Sequence, residues 1–108
     1  RRPMSGSPDD QTFIPPSFEA LYRDPRGRLR IDRDEYRARY ELCEDMAQML
    51  LERAQAWHHD LGLSEDVVIG RTLAGLRGAD SGFRPDESRW VVRRLAELLG
   101  WPDPGPDP

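Results

Sequence analysis

With 108 residues, 33% of them charged, 37% hydrophobic and a net charge of −4, the chain has room for one domain with a modest core and none for a second. Its one cysteine, Cys43, excludes an internal disulfide, and no run approaches the roughly 20 apolar residues of a membrane span. The N-terminus also lacks the apolar heart of a signal peptide, so the expectation is a soluble cytoplasmic protein with a reduced thiol.

Residues 1–12, a mixture of Pro, Gly, Ser and Asp without any period, read as a mobile tail. The diproline Pro15-Pro16 then leads into good helix formers, and proline is tolerated in a first helical turn, which predicts a short helix over about 16–22. Asp24-Pro25-Arg26-Gly27 has the residues of a type I turn, and Leu29 and Ile31 alternate with arginines as an extended piece would.

The strongest pattern follows. Tyr36, Tyr40, Cys43, Ala47, Leu50, Ala54, Trp57 and Leu61 recur at alternating steps of four and three, the mark of one long helix with a single apolar seam. Asp32 and Glu35 stand at capping-box spacing before it, and Gly62 can supply the left-handed residue after it, which places the helix at about 33–61. Ser64 is the cap of a third helix over about 65–77, apolar at Val68, Ile69, Leu73 and Leu76. Within it Gly70 and Gly75 either weaken the helix or permit a close crossing. After a loop over 79–84, Pro85 opens a last helix over about 85–99, with Asp86 and Glu87 in its first turn, an apolar face of Val91, Val92, Leu95, Leu98 and Leu99, and Gly100 beyond its end. Pro-Asp-Pro-Gly-Pro-Asp-Pro over 102–108 lacks the donors for helix or sheet and reads as a disordered tail. No strand pattern competes, so the expected fold is an all-α bundle forming one domain over 13–101.

Helix lengths bear on function. A helix over 33–61 spans about 40 Å and its companions about 20 Å each, so the third helix can cover the half near Ala54 and Trp57. The half near Tyr36, Tyr40 and Cys43 needs Phe13, Phe18, Leu21 and Ile31 from the N-terminal segment, or a second copy of the chain. Trp57, Val91, Leu95 and Leu98 belong to the core on this reading.

The residues offer little chemistry. His58 and His59 point about 100° apart on a helix and cannot chelate one ion, and no ligand sits one turn before them. Cys43 has Arg39, Tyr40, Met46 and Ala47 as helical neighbours and no base, which suits packing rather than nucleophilic attack. Neither a catalytic residue, a metal ligand nor a cofactor is therefore assigned. Charge is segregated instead: residues 23–39 carry net +3, residues 41–66 net −6 and residues 71–94 net +3, which predicts the basic last helix docked beside the acidic long one. Arg84, Arg89, Arg93 and Arg94 raise a nucleic-acid reading as an alternative; the acidic isoelectric point near 5.1 and the absence of asparagine to read adenine argue against it.

Four strings, Pro16-Ser17-Phe18-Glu19-Ala20-Leu21-Tyr22, Ala38-Arg39-Tyr40-Glu41-Leu42-Cys43-Glu44-Asp45, His58-His59-Asp60-Leu61-Gly62-Leu63-Ser64-Glu65-Asp66 and Trp90-Val91-Val92-Arg93-Arg94-Leu95-Ala96-Glu97-Leu98-Leu99-Gly100-Trp101, resemble a family of small proteobacterial proteins often labelled "ATPase with chaperone activity". The likeness covers about Ile14 to Pro102. That label implies ATP hydrolysis, from which this chain departs: it has no G-x-x-x-x-G-K-[ST] loop and no lysine to reach the phosphates. The resemblance thus carries over no active-site residue and at most implies a partner that is itself an ATPase. The expectation is a non-catalytic helical interaction module, acting as adaptor or regulator on a protein partner or on a second copy through the long helix. Tyr36 and Tyr40 on the least covered stretch, with Arg89, Arg93 and Arg94 on the last helix, are the expected partner-binding residues.

Overall fold

Pro15 is extended and Pro16 opens helix α1 (Pro16–Glu19), the first element of a computed structural model that describes residues 13–78 and 80–105. The expected tails over 1–12 and 106–108 lie outside the described residues. α1 stops three residues short of expectation because the next backbone groups are committed elsewhere. Arg30 N–H donates to the Tyr22 carbonyl at 2.8 Å, Asp24 N–H donates to that of Arg28 at 2.9 Å, and Arg23 pairs with Leu29 in an isolated antiparallel bridge. A β-turn lies at the expected place: Gly27 N–H donates to the Asp24 carbonyl at 2.8 Å, with Gly27 at φ 84°. An Asp24 side-chain oxygen also accepts from Arg26 and Arg28 N–H. This small knot fixes Tyr22 with its ring turned inward.

Helix α2 (Arg33–His59) begins where the Asp32 carboxylate accepts from the N–H groups of Asp34 and Glu35. It ends two residues before the expected limit: Gly62 takes φ 69°, the chain reverses, and Leu61 is left exposed beyond the helix. Helix α3 (Glu65–Leu76) starts on the Ser64 hydroxyl, which accepts from Val67 N–H. A Cβ added at Gly70 or Gly75 would meet nothing within 4 Å, so neither glycine serves a close crossing and both only lower helix propensity. Helix α4 (Pro85–Leu99) carries proline in its first turn and ends at Gly100, φ 75°. Among the described residues the fold is all-α, as the periodicity indicates, with α2 as its long central helix, and no helix is long and apolar enough to cross a membrane.

The core forms where α4 lies along α2. Cys43, Ala47 and Ala54 are small, so the α4 backbone approaches closely and Val91, Val92, Leu95 and Ala96 are fully buried against them. α3 adds Val68, Ile69, Leu73 and Leu76. The N-terminal half of α2, expected to be the least covered, is sealed from within the chain. Phe18, fully buried, packs its ring 6.0 Å from Tyr36, 5.4 Å from Tyr40 and 5.2 Å from Trp90, and Tyr22 closes the other side of Tyr36. Leu21 and Ile31 add partial cover, while Phe13, expected to join them, is 73% exposed. Trp57 is only half-buried, at the edge of the core, with the guanidiniums of Arg53 and Arg71 5.8 and 5.9 Å from its ring.

Candidate functional site

One face of α4 and what surrounds it make an open groove of about 510 Å³. Trp90, Arg93, Arg94 and Glu97 recur at helical spacing and so project from the same side of α4, with Trp101 next in line after the Gly100 turn. Phe13, Pro15 and Ser17 from the N-terminal segment, Tyr40 from α2 and Asp103 complete the lining. Trp90 is oriented by its indole N–H, which donates to the Ser17 hydroxyl at 2.9 Å, and its ring meets Tyr40 edge-on at 5.9 Å. Trp101 is fixed by its backbone N–H donating to the Ala96 carbonyl and by the His58 ring 5.1 Å away.

Of the five residues expected to bind a partner, three meet here: Tyr40, Arg93 and Arg94. Tyr36 does not. It is 7% exposed, packed between Phe18 and Tyr22, and its ring belongs to the core rather than to the groove lining. Arg89 is half-buried on α4 and does not line the groove. The two groove arginines are both held by carboxylates. Arg93 donates from Nε and Nη2 to the two Asp103 oxygens at 3.1 and 2.8 Å, and Asp103 also accepts from Gly105 N–H. These bonds, that from Arg93 foremost, hold the Asp103 carboxyl below its usual range. Asp103, in the stretch expected to begin a disordered tail, is thus held against α4 by a guanidinium ten residues earlier. Arg94 donates to both oxygens of Glu44 at 2.8 and 3.1 Å and to Glu97 at 2.7 Å. Burial would raise the Glu44 carboxyl, but the bonds from Arg94 and Gln48 outweigh it and its pKa falls below the ordinary value. Burial first, and Glu44 second, raise the Tyr40 phenol above its ordinary value.

The docking of α4 on α2 by opposite charge is realised in the Arg94–Glu44 pair. The most buried ion pair runs the other way. Glu87, fully buried, takes both Nε and Nη2 of Arg39, the Tyr22 hydroxyl and Arg84 N–H, while Arg39 reaches on to the Gly82 carbonyl at 2.8 Å. Burial penalises that carboxylate, yet the bonds from Arg39, Arg84 and Tyr22 win and its pKa lies below the ordinary value. Sequence reasoning placed Glu87 in a first helical turn and missed this role; its position three residues after Arg84 was the available signal, whereas nothing distinguished Arg39 among sixteen arginines. Trp90, Trp101 and Ser17 were missed as groove residues too, although the Trp90–Arg93–Glu97–Trp101 spacing could have marked a face.

The cysteine and the two histidines lie outside the groove lining. The Cys43 thiol is fully buried and burial pushes its pKa up to about 12, which leaves it protonated and inert. The His58 Nδ1 lies 2.8 Å from the Leu63 carbonyl, joining the end of α2 to the turn that follows, and His59 is exposed. Comparison with known protein families, with curated proteins and with solved structures finds nothing that matches this chain.

Proposed function

We infer that the chain is a non-catalytic interaction module, an adaptor or regulator in the cytoplasm, that receives an extended segment of a partner protein in the α4 groove. The observation that carries this reading is the convergence of Tyr40 and Trp101 with Arg93 and Arg94 around one open concavity, to whose lining the largely buried Trp90 also belongs. Its volume falls within the roughly 300–1,000 Å³ of ordinary ligand sites. Aromatic rings with guanidinium groups are the side chains that dominate binding hot spots, since they offer large area at small entropic cost. The reading moves the binding surface from the α2 seam to α4, because Tyr36, Cys43, Ala47 and Ala54 of that seam are packed inside the chain. It also ranks above the nucleic-acid alternative, because Arg94 is held by Glu44 and Glu97 and the chain as a whole is acidic, with an isoelectric point near 5.1.

The test is capture from the source cells with the wild-type chain, Trp101→Ala and Arg93→Glu as baits, followed by mass spectrometry. A protein retained by the wild type and lost from both variants supports the reading. Retention unchanged by both variants removes the groove from the account, and equal recovery of nucleic acid by wild-type bait would favour the alternative.

A further inference from the structure

Resting on the reading above, we propose that the segment this groove accepts is acidic and proline-flanked, and that the chain's own Pro102-Asp103-Pro104 occupies Arg93 as an internal competitor. After Trp101 the same triplet, Pro-Asp-Pro, occurs twice around Gly105. A residue that precedes proline is pushed into extended backbone, and proline itself donates nothing, so such a run is preformed for lying along a surface rather than for joining a helix. Aromatic-lined grooves hold proline-rich segments by ring contact, and a carboxylate among the prolines adds a bidentate anchor where an arginine stands beside the rings.

That arrangement is present inside the chain. Asp103, which lines the groove together with Trp101, places both oxygens on the Arg93 fork. The pair is solvated, with side chains 40% and 61% exposed, and solvated pairs of this kind contribute little and exchange readily. When Asp103 leaves, the groove lining holds two arginines against Glu97 alone, and Arg94 stays tied to Glu97 and to Glu44. The surplus positive charge is therefore at Arg93, beside four aromatic rings, where an incoming carboxylate takes over the two bonds that Asp103 gave up. A neutral or basic segment gains no such exchange.

The experiment uses the full chain labelled with ¹⁵N, whose three tryptophans give three indole signals. The probes are capped Gly-Pro-Asp-Pro-Gly and its neutral counterpart Gly-Pro-Asn-Pro-Gly. The acidic peptide should shift the indole signals of Trp90 and Trp101 and spare that of Trp57. Asp103→Ala should tighten its binding about two- to fivefold by removing the competitor, and Arg93→Ala should weaken it about tenfold. Both substitutions are at solvated side chains, and unchanged far-ultraviolet dichroism verifies that the fold survives. Equal affinity for the two peptides, or indifference to Asp103→Ala, overturns the proposal while leaving the groove as a protein-binding site. Indole signals unmoved by either peptide overturn it as well, and the capture experiment with Trp101→Ala then decides the wider reading separately.

Discussion

Arg39–Glu87 and Arg93–Asp103 are the same chemical pair in two settings, each a guanidinium gripping a carboxylate through Nε and Nη2. The first joins three parts of the chain: Glu87 is fully buried, its oxygens accept four hydrogen bonds, and Tyr22, α2 and the start of α4 are all pinned to it. The second lies in water and joins α4 only to the residues just after it. Burial decides which pair is structural. A desolvated carboxylate cannot lose its partner without being stranded, whereas an exposed one trades protein for water at little cost. Arg94–Glu44 stands between them, its side chains 29% and 18% exposed.

This ordering is open to direct tests. Glu87→Ala should cause the largest loss, about 3–5 kcal/mol in urea unfolding, because it leaves the Arg39 guanidinium and the Tyr22 hydroxyl without their acceptor. A loss no greater than that of a surface substitution would refute the structural role. Arg94→Ala should cost less, about 1–2 kcal/mol by the same measurement, since water partly replaces what Glu44 loses. Acid titration sharpens the contrast. The folded pKa of Glu87 lies below its ordinary 4.5, so its stabilisation is complete above that value and is lost as pH falls from there through the folded pKa. Glu87→Gln should accordingly flatten the acid limb of a plot of urea midpoint against pH, and Asp103→Asn should leave that limb where it was. On the alkaline side the Tyr22 phenol is pushed up to about 12, by burial first and then by Glu87, so its contribution holds below its ordinary value of 10 and fades from there upward; absorbance at alkaline pH should show one tyrosine ionising late. Asp103→Ala should give the smallest effect, no measurable change in the urea midpoint, although it alters peptide binding.

How far the sequence reached differs by element. The long helix, its Asp32 cap, the Ser64 cap, the Asp24–Gly27 turn and the Gly100 stop are written in local patterns, because helix caps and turns are satisfied by residues two to four positions away. The short helix was overdrawn by three residues because the competing partners of Tyr22 and Arg23, namely Arg30 and Leu29, lie beyond the local window. For the groove, the reading reached Tyr40, Arg93 and Arg94 but attached the tyrosine to an exposed seam together with Tyr36.

Periodicity says which face of a helix is apolar, and it cannot say how much cover a short segment elsewhere supplies. Phe18 settled that question: one ring, placed by a four-residue helix, touches Tyr36, Tyr40 and Trp90 together. The amino-acid sequence by itself determined the all-α class and the ends of the three longer helices to within two residues, since those depend on nearby hydrogen bonds and on a regular apolar repeat. Only the tertiary structure decided which tyrosine is buried, which arginine is matched to which acid, and where an open surface remains. Those outcomes follow from contacts between residues dozens of positions apart, and sixteen chemically identical arginines carry no mark of their partners until the chain has folded.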